Sequence, residues 1–148
     1  MELAVVSHGT GDVRDPRHVD RLAARLIGGE WSCVHGGPTE GTVTSDLARV
    51  LAVPRTLDER IELDRLIDDN PGKQLIAVAS AEAIRALVAS VMEVDVVSIP
   101  LPAALSLTRI QASRKGTRTV LCFNDTVHLL EHPVGDHAST REGTPRRG

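Results

Sequence analysis

The chain has 148 residues, 41% of them hydrophobic and 25% charged, with a formal net charge of −3 and a pI near 6.0. One domain of this length buries roughly two thirds of its unfolded surface, so it needs neither disulfides nor a structural metal to fold. The acidic balance argues against a general nucleic-acid binder, and with no tyrosine, one Trp31 and one Phe123 there is almost no surface for stacking single-stranded bases.

No apolar run approaches the ~20 residues of a membrane span. The start, Met1 to Thr10, has no basic stretch ahead of its apolar run, so a secretory signal is not expected and the reading is a soluble, cytoplasmic domain. Cys33 and Cys122 are too few for a disulfide framework or a cysteine-based zinc site. Fifteen arginines against two lysines reflect genome composition rather than function.

In chain order, Glu2–Ser7 reads as a buried strand that ends in Ser-His-Gly. Asp15-Pro16 opens a helix, with proline in the first turn, where its missing N–H costs least. Val19, Leu22, Ala23 and Leu26 keep helical spacing until Gly28-Gly29 stops it. Trp31–His35 is a second strand, and Thr39–Ala52 a helix with Val43, Leu47, Val50 and Leu51 on one face, closed by Pro54. Leu57-Asp58-Glu59 leads into an amphipathic helix to Asp69, and Asn70-Pro71-Gly72 turns the chain.

Gln74–Ala79 is a third buried strand, and Ala81–Met92 a helix built on Ile84, Leu87, Val88 and Val91. Val94–Ile99 reads as a short strand or an extended run before Pro100 and Pro102. Ala104–Ala112 and Arg118–Phe123 form an antiparallel hairpin across Ser-Arg-Lys-Gly. From Glu131 the chain is polar, with three bases cancelling three acids, which predicts a disordered tail over 131–148 beyond a domain of residues 1–130.

Strand–helix alternation ending in a hairpin predicts an α/β fold: a three-layer α/β/α sandwich with a mostly parallel mixed sheet and a C-terminal antiparallel hairpin. In such sheets functional groups gather where the strands end. The candidates are Ser7-His8-Gly9-Thr10, His35-Gly36-Gly37, Ser80-Ala81-Glu82 and Asn124-Asp125.

These segments resemble, in order, those of the histidine phosphatase superfamily, the phosphoglycerate-mutase-like group. Val5-Val6-Ser7-His8-Gly9-Thr10 is similar to the family's strand into Arg-His-Gly, whose histidine accepts the phosphoryl group. Trp31–His35, Thr39–Ala52, Val53-Pro54 and Leu57-Asp58-Glu59 match its second strand, its Ser-x-x-x-Arg-Ala helix, its Gly-x-Pro and its Leu-x-Glu. Val78 to Leu87 resembles the Val-Ser-His-Gly strand end and the helix after it. Asn124-Asp125-Thr126-Val127-His128-Leu129 matches a closing Asn-x-Thr-x-His-Leu. The resemblance spans residues 3 to 130.

The resemblance implies a phosphate pocket of two arginines, two histidines and a carboxyl proton donor. Here the first arginine falls at Ser7, the second at Thr39, and the second histidine at Ser80; Arg49 is a rival for the second arginine but would leave its helix too short before Pro54. His8 stands in the nucleophile's place and Glu59 in the general acid's. One arginine can be worth ~10³–10⁵ in the rate of phosphoryl transfer, so losing this cradle makes a poor phosphate trap. What remains suits acid–base chemistry on a neutral or weakly polar molecule.

His8 reads as a pocket residue rather than a hydrogen-bonded turn histidine, since imidazole gives and takes protons near pH 7. Glu59 stands against a helix-entry acid that interacts with the dipole. His35 is a pocket residue or a loop histidine in water. Cys33 shares its face and reads as a core thiol rather than a nucleophile paired with His35. Glu82 is explained by helix capping, His128 by structure, and Arg17, Arg21 and Arg25 by a solvated helix face, with Arg14 left open as an anion ligand.

The candidate site is therefore His8 and Glu59 as catalytic residues, with Ser7, Thr10, His35, Thr39 and Ser80 lining a pocket; no metal and no cofactor are expected. The expected partner is a small-molecule substrate, with no nucleic acid or membrane, and a homo-oligomer stays open. Three functions stand: a repurposed enzyme performing a cyclisation, dehydration or isomerisation in a biosynthetic pathway, a residual phosphohydrolase or phosphomutase, and a non-catalytic ligand-binding pseudophosphatase.

Overall fold

The computed structural model describes residues 1–8, 16–36, 41–57 and 62–130. Among these residues six strands form one sheet in the order β3-β2-β4-β1-β5-β6. They are β1 (Glu2–Ser7), β2 (Trp31–Gly36), β3 (Arg55–Leu57), β4 (Gln74–Ala79), β5 (Leu107–Ala112) and β6 (Arg118–Asp125). The first four run parallel, while β5 and β6 are antiparallel to their neighbours. The mixed α/β sheet with its closing hairpin is the architecture expected from the sequence.

Among the described residues four helices cover the two faces: α1 (Pro16–Leu26), α2 (Gly41–Leu51), α3 (Leu63–Asp69) and α4 (Ala81–Met92). Strand side chains alternate between faces, and the core divides accordingly. Ala4 and Val6 of β1 and Ile76 and Val78 of β4 pack with Leu22 and Leu26 of α1 and Val43 and Leu47 of α2. Leu3, Val5, Leu75 and Ala77 face the other way, onto Leu66 of α3 and Ile84 and Val88 of α4. The central strands are apolar on both faces because both are covered.

Three local expectations change. Val94–Ile99 is not a strand: Val96–Ser98 forms a 3-10 turn, with Asp95 Oδ1 accepting from Val97 N–H at 3.2 Å. Its valines suit a strand, but β3 and β6 occupy the sheet edges, and Val97 stays largely exposed. Of the helix expected up to Asp69, residues 58–61 lie outside the described residues. Arg55–Leu57 pairs with β2 as a three-residue edge strand, too short to show an alternation, and the helix begins only at Leu63.

The hairpin strands also shift, β5 starting at Leu107 rather than Ala104 and β6 reaching Asp125. The predicted tail, 131–148, lies outside the described residues.

Candidate active site

β1 and β4 are neighbours, yet the helices that follow them pack on opposite faces, α1 on one and α4 on the other. Such a divergence marks the crevice beyond the carboxyl ends of two strands where ligands usually bind in an open α/β sheet. His8 leaves β1 at this point. Its N–H donates to Ala79 O at 3.0 Å, extending the β1–β4 ladder by one residue, and its side chain is half-buried. Ser80 follows Ala79 on the neighbouring strand, so the fold brings His8 and Ser80 to the same crevice.

Ser80 is already engaged. Its Oγ accepts from Ala83 N–H at 3.1 Å and caps α4, and Glu82 occupies the first turn, where an acid favours the helix dipole. Ser7 is fully buried on the α4 side, in register with Ala79. Extending the β1–β5 register by one residue sets it opposite Ser106, with Ser7 N–H donating to Ser106 O at 3.3 Å. Both hydroxyls are buried with no hydrogen-bond partner among the described residues.

His35 is not a loop histidine in water; it lies inside β2, 8% exposed. Its Nε2 is 3.0 Å from Cys33 Sγ, since residues two apart share a strand face. Burial pushes the Cys33 thiol up, with a hydrogen bond to Thr56 and the Lys73 charge opposing it. The sulfur thus keeps its proton at neutral pH, and Cys33 is a core thiol rather than a nucleophile. Cys33 packs with the α3–α4 core, whereas the alternation in β1 turns His8 toward α1 and α2. His8 and His35 therefore leave the sheet on opposite sides.

Thr10, Thr39 and Glu59 lie outside the described residues, as does Arg14. Arg49 sits in the last turn of α2, at the end away from the crevice, and pairs with Asp46 at 3.5 Å. Among the described residues no three His, Cys, Asp or Glu side chains are grouped to hold a metal.

Solved structures place the fold. Bacillus stearothermophilus YhfR superposes with a TM-score of 0.75 over 87% of this chain and 99% of its own, at 13% identity. Entamoeba histolytica phosphoserine phosphatase, solved with 3-phosphoglyceric acid, gives 0.69 over 87% and 99%, at 14% identity. The mycobacterial glucosyl-3-phosphoglycerate phosphatase gives 0.61 over 84% and 98%, at 11%. The chain has the histidine-phosphatase fold. No family sequence model matches it, and no curated protein aligns with it at a significant score.

Within this histidine-phosphatase fold the closing motif is structural. His128 is buried, with Nε2 2.7 Å from Leu105 O and Nδ1 3.2 Å from Arg25 Nη1. A carbonyl only accepts, so Nε2 carries the proton and Nδ1 receives the arginine's. Arg25 also pairs with Asp125 at 2.8 Å, and Arg21 donates to Leu130 O at 3.3 Å. Arg21 and Arg25 therefore do not form a merely solvated face; they tie the end of the described chain to α1. Their partners lie about a hundred residues away in sequence, a pairing that spacing alone does not reveal.

Proposed function

We propose that this protein carries out acid–base chemistry on a small, non-phosphorylated molecule, using a histidine-phosphatase fold whose phosphate-binding cations are gone. The observation that carries this reading is the state of two pocket positions implied by the resemblance. Ser7, in place of the first arginine, is fully buried with a neutral side chain. Ser80, in place of the second histidine, spends its hydroxyl on capping α4. Neither supplies charge to the three equatorial oxygens of a transferring phosphoryl group, where catalysis of that reaction mostly resides.

His8 keeps its place at the strand end, and an imidazole there can move a proton between two positions of a bound ligand, a contribution of typically ~10²–10⁴ in rate. Glu59 is proposed as the partner carboxyl. Cyclisation, dehydration and isomerisation each need one group to remove a proton and another to deliver one. A biosynthetic step on an oxygen-bearing metabolite fits this pair.

The second reading, a residual phosphohydrolase, is favoured by the phosphatases that share the fold. One experiment separates the two. Generic phosphomonoesters should be hydrolysed at near-background rate, with no phosphohistidine accumulating at His8. Robust turnover that His8→Ala abolishes would restore the phosphatase reading.

A further inference from the structure

A second cavity lies on the α1 face of the sheet, beneath the C-terminal end of α1. Its volume is about 250 Å³, and Arg25, Leu26, Trp31, Gln74, Leu107 and Arg109 line it with two glycines. Trp31 and Gln74 are the first residues of β2 and β4. Arg109 and Leu107 pair with Ala4 and Val6 of β1, so the lining runs from the first residues of β2 and β4 along β5, while the crevice holding His8 lies beyond the last residues of β1 and β4.

The lining has the chemistry of an anion site. None of these residues carries a carboxylate, and two carry guanidinium groups. Both are oriented from outside: Arg25 is held by Asp125 at 2.8 Å, and Arg109 forms an ion pair with Glu2. Arg109 Nε is buried with no acceptor among the described residues, so it is the guanidinium's terminal nitrogens that are left to meet a ligand. Gln74 Oε1 is occupied by Glu30 N–H at 2.9 Å, so the group it has left to offer is its amide N–H₂.

A helix C-terminus would normally repel an anion, but here it is capped. Leu26 O accepts from Gly29 N–H at 3.0 Å and from Trp31 Nε1–H at 2.6 Å. Gly29 makes that contact feasible, since a Cβ there would come within 2.5 Å of Trp31 Nε1. Leu26, Leu107 and the indole supply an apolar wall. The volume is smaller than the ~300–1,000 Å³ of drug-sized pockets, which limits the occupant to a small metabolite.

We propose that this cavity is a second ligand site, separate from the His8 crevice, for a small molecule with one oxyanion, carboxylate or phosphate, on a compact apolar body. The oxyanion meets Arg109 and Arg25, and the apolar body lies against Trp31.

Trp31 is the only tryptophan and tyrosine is absent, so emission excited at tryptophan wavelengths reports this one wall. The test titrates the intact protein with benzoate and with phenyl phosphate at constant ionic strength, one probe for each oxyanion. At least one probe should shift Trp31 emission saturably, and the better one identifies the preferred oxyanion. Arg109→Gln should weaken that response tenfold or more. Gly28→Glu is a second variant that leaves the packing alone, because a Cβ at Gly28 meets nothing within 4 Å; it should weaken the response likewise. His8→Ala should titrate like the wild type. The proposal is overturned if neither probe saturates, if both cavity variants respond unchanged, or if His8→Ala removes the response.

Discussion

Asn124 adopts φ of +57°, a left-handed conformation that asparagine tolerates better than most residues, and its Oδ1 accepts from Ala103 N–H at 2.8 Å. Asp125 then turns the chain, with Oδ1 accepting from Val127 N–H at 3.1 Å and Oδ2 from Arg25. These bonds deliver His128 to Leu105 O, and Leu105 N–H in turn donates to Ser7 O. The closing motif thus reaches the strand end beside His8 through three residues.

Burial pushes the His128 imidazole below its ordinary value of 6.5, the Leu105 hydrogen bond opposing and the Arg25 charge assisting. A histidine whose folded value is depressed must be protonated at a cost, so its stabilisation is complete above about pH 6.5 and is lost as pH falls. Asp125 is also held low, chiefly by its hydrogen bond with Arg25, and its contribution goes only below the ordinary carboxylate range. Unfolding free energy should therefore decline between pH 7.5 and 5.5. That slope should flatten in His128→Gln, measured by urea denaturation; an unchanged slope would show that His128 is not the group responsible.

At the scale of elements, α2 sits on the end of β2 because residue 36 has no side chain. A Cβ on Gly36 would overlap Thr44 Oγ1 and lie 3.1 Å from Thr44 Cβ. Thr44 is itself fully buried in α2, so the helix has to move. Gly36→Ala should destabilise the fold by ~1–3 kcal/mol, the usual range for an overpacked interior. Adding Thr44→Ala should recover part of that loss in chemical denaturation. If the double variant is no better than the single, the strain at Gly36 comes from another neighbour. Strand pairing works at the same scale: β3 exists because β2 offers Val34–Gly36 a free edge, although its own three residues carry little strand signal.

At the scale of the molecule, two apolar cores share one sheet. Leu47 belongs to the α1–α2 side and Ile84 to the α3–α4 side, and both are fully buried. Leu47→Ala and Ile84→Ala should each cost ~2–5 kcal/mol. Each should leave a single cooperative transition with coincident fluorescence and circular dichroism curves, since β1 and β4 contribute to both cores and one cannot melt alone. Separated transitions in either variant would show that the layers unfold independently. The Trp31 cavity is lined from the first residues of β2 and β4, and His8 follows the last residue of β1, so the two sites can be probed by different substitutions.

Periodicity alone determined β1, β2, β4, α1 and α4, because long buried segments repeat their apolar residues at the spacing their partners require. The order of short motifs was enough to imply the fold, and the hairpin followed from its alternation and its turn. Placing His8 at a strand end needed no more than Val5-Val6 before it and Gly9 after it. Only the tertiary structure decided what each polar group does there. Ser80 caps a helix, Ser7 is sealed opposite Ser106, and His35 is buried against Cys33, because neighbours from other strands and from α4 surround them. Arg25, Asp125 and His128 meet across about a hundred residues. Local sequence carries backbone preference and apolar spacing, but a side chain's hydrogen-bond partner is set by whichever distant segment packs beside it.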